Sequence, residues 1–317
     1  MYIGSVFRLQ KYKKRIFAPK SIVMNDNFFT ENLRQSSGMR VFLFAIIFLV
    51  CTLLAAAVAK IMDSGGDLIL KLAEGISSIL MFVVPPIVYY FITRRDHPMQ
   101  QLGFREVASP AGMLLIASVL LMFISLPVTN QLTTWNEALK LGGVFEPLET
   151  WMKNLEDTAA AVTEQMLNVN TIGGLLLNLV VIALIPAVGE ELTFRGVLQQ
   201  ALTGKMKNPH VAIILSAAIF SFIHFQFYGF LPRMFLGVVL GYMFYITGSL
   251  WTSILMHFLN NGTVVVLYYL NNKGIADIDV EHFGAMSGWM VALSIVVTAT
   301  LIVWSWRGKQ SNKKGSN

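Results

Sequence analysis

Six polar side chains stand at helical spacing inside stretches that are otherwise apolar. In the segment VGEELTFRG, Glu190 and Glu191 are adjacent, and Arg195 follows Glu191 by four residues. Residues four apart share a helix face, so Glu191 and Arg195 can form a charge-assisted pair that keeps the carboxylate ionised and fixes its rotamer. Glu190 is turned about 100° away and must find a different neighbour. Two carboxylates against one arginine leave one carboxylate uncompensated, the kind of group that serves as a general base. Further along, Phe220 and His224 share a face in IFSFIHFQF, and His257 and Asn261 share one in HFLNNG, with Asn260 one step off. Of the five histidines in the chain, two thus lie deep in apolar runs.

Ionisable groups in such surroundings are costly, which makes each a functional candidate. The bland readings are a structural ion pair at a helix end and a histidine packed among aromatics. Three polar sites on successive parts of the chain, however, can satisfy one another only by converging. A glutamate can take a proton from water while imidazole N–H groups and an Asn amide donate to the oxyanion formed when that water attacks a carbonyl. Alternatively, Glu190, His224 and His257 could bind a zinc ion whose bound water is the nucleophile. Either route is amide hydrolysis within the membrane, and the residues leave both open. The chain has no H-E-x-x-H, G-x-S-G or G-x-G-D sequence, so other intramembrane protease chemistries find no signature.

The elements that must position these groups follow from composition. Of 317 residues, 55% are hydrophobic and 13% are charged, with a mean hydropathy of +0.61. A soluble domain carries about 25% charged residues, so the chain reads as an all-α polytopic membrane protein. The net charge of +6 then speaks to topology rather than to a nucleic-acid partner. The single cysteine, Cys51, excludes a disulfide framework and a cysteine metal site.

A span needs about 20 apolar residues, and the pattern predicts about eight transmembrane helices. They are Val41–Ala59, Gly75–Thr93 with Pro85 and Pro86 inside, Ala111–Asn130, a run from near Thr171 into Glu190, and Val211–Phe230. Met234–Ile246 and Leu250–Leu270 follow, split by a turn at Thr247, Gly248 and Ser249, and the last is Gly284–Trp306. Charges at span ends, such as Lys60 and Arg233, are expected to snorkel. Residues 1–40 form a basic arm, 41–306 the membrane domain and 307–317 a basic tail. Basic residues cluster in the arm, around Arg94, Arg95 and Arg105, at Lys205 and Lys207, and in the tail, whereas the 131–170 connection is acidic. The arrangement predicts both termini on the cytoplasmic side. The 131–170 connection, with Trp135, Phe145, Leu148 and Trp151, is expected to hold a short interfacial helix. Counting 1.5 Å per residue puts His224 about 20 Å from residue 211 but His257 only about 10 Å from residue 250. The two can meet only if the fifth helix begins outside the bilayer or its neighbours tilt.

At these residues the sequence resembles the CAAX protease and bacteriocin-processing family, also called the Abi family. That family carries E-E-x-x-x-R, F-x-x-x-H and H-x-x-x-N/D. Here they stand in order as Glu190-Glu191-x-x-x-Arg195, Phe220-x-x-x-His224 and His257-x-x-x-Asn261, over a core of about 170–265. The resemblance implies an eight-helix intramembrane endopeptidase of a bacterial cytoplasmic membrane. Glu190 would activate water, His224, His257 and Asn261 would complete the catalytic site, and Glu191 and Arg195 would support it. Both a metalloendopeptidase with a divalent ion such as zinc on Glu190, His224 and His257 and a metal-free glutamate mechanism have been argued for the family. The expected partners are a peptide or membrane-protein substrate and the lipid bilayer, with no nucleic acid. Eukaryotic relatives cut the C-terminal tripeptide from prenylated CAAX proteins, whereas bacterial members often act on other peptides or membrane proteins. The aromatic run Phe222–Phe230 either lines an apolar substrate groove or packs the core. The rival readings are a transporter or channel with an intramembrane charge relay, and a non-catalytic immunity or scaffold protein.

Overall fold

The computed structural model describes residues 37–62, 65–93, 98–107, 111–206, 208–280 and 282–314. Of the basic arm only residues 37–40 are included. Arg94, Arg95, Lys207 and the end of the tail, 315–317, lie outside the described residues. The chain is an all-α polytopic membrane protein, with no strand among the described residues. Its principal helices are α1 (Ser37–Met62), α2 (Asp67–Thr93), α3 (Ala111–Glu137), α4 (Glu146–Leu167), α5 (Ile172–Met206), α6 (Pro209–Phe222), α7 (Phe230–Thr247), α8 (Leu250–Asn272) and α9 (Gly288–Lys314). Among the described residues, α1, α2, α3, α5, α8 and α7 with the turn before it are long and apolar enough to cross a membrane. The other two predicted spans correspond to shorter apolar helices, Pro209–Phe222 and Gly288–Val303.

Boundaries move where polar contacts override hydropathy. The fourth predicted span does not stop at the glutamates: α5 runs on to Met206, because Glu191 and Arg195 neutralise each other inside it. A helix of 35 residues is about 50 Å long at 1.5 Å per residue, well beyond the roughly 30 Å of hydrocarbon. Such a helix must project past the hydrocarbon or tilt within it. The fifth predicted span breaks early. Helix α6 ends at Phe222, His224 Nδ1 takes the Phe220 carbonyl at 2.8 Å, and Phe225 adopts φ 54°. The turn is pinned from α3, where Asn136 donates to the Phe227 carbonyl at 2.8 Å and accepts from Leu231 N–H at 2.6 Å. Pro232 and Arg233 belong to α7. The turn at Thr247–Ser249 is as predicted: Gly248 has φ 69°, and the Ser249 hydroxyl caps α8 by accepting from Trp251 N–H.

The 131–170 connection contains the helix α4, whereas Trp135 falls in the C-terminal end of α3. Glu149 on α4 accepts the backbone N–H groups of Leu141 and Gly142, which hold its carboxyl below the usual range.

Prolines and glycines fit α2, α5 and α7 around the polar cluster. Pro86 has no N–H to offer the carbonyl of Phe82, four residues earlier, and α2 widens to a π-helical turn over Ile79–Val83. The Thr193 hydroxyl donates to that freed Phe82 carbonyl at 2.7 Å, and Gly189 lies against Phe82 and Val83. Pro186 in α5 likewise withholds an N–H from Ile182, and the Asn261 amide donates to the Ile182 carbonyl at 3.4 Å. On the opposite side, α7 presents Gly237 and Gly241, whose bare backbone allows close approach. Arg195 donates to the Gly237 carbonyl at 2.8 Å, and Gln199 donates to the Gly241 carbonyl at 3.0 Å. A Cβ at Gly237 would stand 2.9 Å from that of Ala217 in α6. Gly237→Val should therefore destabilise the protein by about 1–3 kcal/mol through overpacking. Thermal unfolding in detergent checks this, and an unchanged melting temperature would contradict the close α6–α7 contact.

Candidate active site

The three motifs converge. On α5, Glu191 is fully buried and Arg195 is 1% exposed. Arg195 Nη1 donates to Glu191 Oε1 at 2.6 Å, and its guanidinium lies 5.1 Å from the centre of the Phe220 ring. From α8, His257 places Nδ1 3.0 Å from the same Glu191 Oε1. That oxygen belongs to an ion-paired carboxylate that can only accept, so the proton sits on Nδ1. The other oxygen, Glu191 Oε2, has no hydrogen-bond partner among the described residues.

Glu190 faces the two imidazoles. Its Oε2 is 3.7 Å from His257 Nε2 and its Oε1 is 4.0 Å from His224 Nε2. His224 also carries its proton on Nδ1, because that nitrogen meets a backbone carbonyl. Each ring is thus anchored through Nδ1 and turns Nε2 toward Glu190. The gaps exceed a direct hydrogen bond of about 2.9 Å and suit a bridging water. Phe220 is the floor beneath all of this, edge-on to His224 with centroids 5.1 Å apart and to His257 at 6.1 Å.

Asn261 does not join that group directly. Its Nδ2 donates to Ile182 O, and its Oδ1 accepts from Asn260 at 3.1 Å. No contact with Glu190 or either imidazole is found among the described residues. It shares the His257 face as its spacing requires, but one turn further on, where the proline-freed carbonyl takes its amide.

Two residues were not singled out from sequence. Phe220 entered only as the partner of His224, yet it contacts both imidazoles and the guanidinium. Arg233, expected only to snorkel, donates to Gln226 in the turn that follows His224. The hint was an arginine beside a proline nine residues after His224.

The candidate metal set fits poorly. A tetrahedral zinc about 2.0 Å from each donor draws donors to roughly 3.3 Å of one another, closer than the 3.7 and 4.0 Å found. Among the described residues, no group of three His, Cys, Asp or Glu side chains is arranged to hold an ion.

Residues 172–263 match the model of a protein family described as type II CAAX prenyl endopeptidase Rce1-like. The match runs from the first residue of α5 past Asn261 and so contains all three motifs. No curated protein and no solved structure matches the chain. By fold and composition the chain is a polytopic membrane protein, and in its site-bearing segment it is similar to a family of membrane proteases.

Removing one partner of a buried ion pair leaves an uncompensated charge. Arg195→Ala should therefore lower stability by about 3–5 kcal/mol, measured by unfolding in detergent. Glu190→Gln, which keeps shape and makes no such pair, should melt close to wild type. Equal melting of Arg195→Ala and wild type would contradict the structural role of the pair.

Proposed function

We propose that the protein is an intramembrane endopeptidase in which Glu190 activates water against a peptide bond of a membrane-associated peptide or protein. The observation that carries this reading is the shared orientation of two anchored imidazoles toward one buried carboxylate. Water held between Glu190 and the Nε2 atoms loses a proton to Glu190 as its oxygen bonds to the carbonyl carbon. An imidazole whose Nδ1–H is already engaged can donate to the oxyanion only through Nε2, once that nitrogen has taken the proton. The C–N bond then breaks as the proton passes to the leaving amine. Glu191 and Arg195 support the site by holding His257, and Asn261 supports it by holding the α5 backbone at Ile182, about two turns before Glu190. No step requires a metal.

The substrate segment is apolar. Phe222 and Phe225, beside His224, are 54% and 49% exposed, so this part of the aromatic run is presented outward rather than packed in the core. In a bacterial cytoplasmic membrane both termini would face the cytoplasm, with the basic arm and tail against anionic headgroups. The acidic 131–170 connection would lie on the other side. A prenylated CAAX protein is one substrate class among membrane-associated peptides, and the geometry does not require it.

Comparing neo-termini in membranes that carry wild type or Glu190→Gln tests the reading. At least one wild-type neo-terminus should fall by about a hundredfold or more in the variant. An identical pattern in both membranes would overturn the hydrolase reading. His224→Ala and His257→Ala should lose comparable activity, while Asn261→Ala should retain more. Metal analysis of the purified protein should find no stoichiometric divalent ion, and chelation should leave cleavage intact. One ion per chain, lost in both histidine variants, would replace the metal-free version.

A further inference from the structure

Arg233 sits in the first turn of α7, half-buried, and among the described residues it makes no direct ion pair. Its Nη2 donates to Gln226 Oε1 at 2.8 Å and its Nη1 donates to the Gln226 carbonyl at 3.2 Å. The guanidinium lies over Gly229: a Cβ there would be 2.8 Å from Nη2. Arg233 thereby staples the turn 226–229 onto α7. His224 is two residues upstream of Gln226, across Phe225, whose φ of 54° is unfavourable for an aromatic residue. Arg233 therefore joins the Phe220 carbonyl and Asn136 in holding His224 and its turn in place.

The same guanidinium answers the charge imbalance within the site. Glu190 and Glu191 bring two negative charges, and Arg195 is spent on Glu191. The next cation acting on Glu190 is Arg233, which acts on His224 as well. On the outer side Arg233 acts on Glu156 of α4. Glu156 accepts the Tyr228 backbone N–H at 3.1 Å, and burial raises its carboxyl above the usual range despite Arg233 and that bond. Trp151, five residues before Glu156 on α4, packs on Phe227 with ring centroids 5.7 Å apart. Signs alternate along the line Glu156, Arg233, Glu190.

We infer that Arg233 is a positioning residue of the hydrolytic site: it clamps the His224 turn through Gln226, adds a second cation to Arg195 on the Glu190 side, and shares its hold on the turn with Glu156 of α4, which accepts the Tyr228 N–H. The inference rests on the endopeptidase reading. Removing the charge should impair the step in which Glu190 and His224 act together more than it impairs apolar substrate capture. The change to lysine keeps the charge and can keep one hydrogen bond to Gln226, but gives up the two-pronged hold of the guanidinium.

The test uses full-length protein in proteoliposomes and an internally quenched peptide spanning a cleavage site identified by wild-type-dependent neo-termini. Arg233→Gln should lower kcat about ten- to a hundredfold with KM within about twofold of wild type, at an unchanged melting temperature. Arg233→Lys should recover most of kcat, and Glu156→Gln should show a smaller loss of the same kind. Wild-type kcat in Arg233→Gln, a loss confined to KM, or lysine no better than glutamine at equal stability would each overturn the inference while leaving the hydrolase intact. If Arg233→Gln proves unstable, the lysine variant and Glu156→Gln decide by the same split of kcat against KM. Cleavage that survives Glu190→Gln would instead remove the endopeptidase reading, and this role with it.

Discussion

A guanidinium and a carboxylate buried together in an apolar helix bundle constrain everything around them. Each is expensive to desolvate, and the pair persists only if the remaining donors and acceptors are also met. Arg195 meets this demand with Glu191, the Gly237 carbonyl and the face of Phe220. These three partners lie on α5, α7 and α6. Glu191 adds the fourth element, because the oxygen that binds Arg195 also receives the imidazole of His257 on α8. One ion pair therefore sets the relative placement of four helices. Gly237 of α7 follows from it, since a bare backbone lets its carbonyl reach the arginine. So does the direction of the catalytic candidates: with Glu191 occupied, Glu190 is the carboxylate left to face His224 and His257.

A second constraint is the satisfaction of backbone groups where water is scarce. Prolines in α2 and α5 free carbonyls that a regular helix would consume, and in an apolar layer such groups need partners. Thr193 takes the carbonyl of Phe82, and Asn261 takes that of Ile182. Both bonds flank Glu190 along α5, one on each side. Irregular backbone is thus placed where it steers the acid, and polar side chains that look catalytic by type are partly spent on holding that backbone. This explains why Asn261 shares a helix face with His257 and yet directs its amide elsewhere.

Much of this was legible in the chain itself. Composition alone supplies the all-helical membrane class, and the i, i+4 spacings supply the Glu191–Arg195 pair and the common face of His257 and Asn261. The need of isolated polar groups for partners supplies their convergence. What could not be read depends on distant contacts. Hydropathy carried the fifth span through to Phe230, because the bonds from Asn136 that break it come from about 90 residues away. Arg233 looks like any cation at a helix end until the turn at Gln226 folds back beneath it. Phe220 looks like core until three charged or titratable groups surround it.

The central claim is that His224 and His257, each protonated on Nδ1, turn their Nε2 atoms toward Glu190. Solid-state NMR on protein in lipid vesicles, with 15N-labelled histidine and 13C-labelled glutamate carboxyls, examines this directly. The account predicts Nδ1–H tautomers for both rings and a dipolar contact from His224 Nε2 to a carboxyl carbon that vanishes in Glu190→Gln. An Nε2–H tautomer on both rings, or no carboxyl within reach of His224, would contradict it.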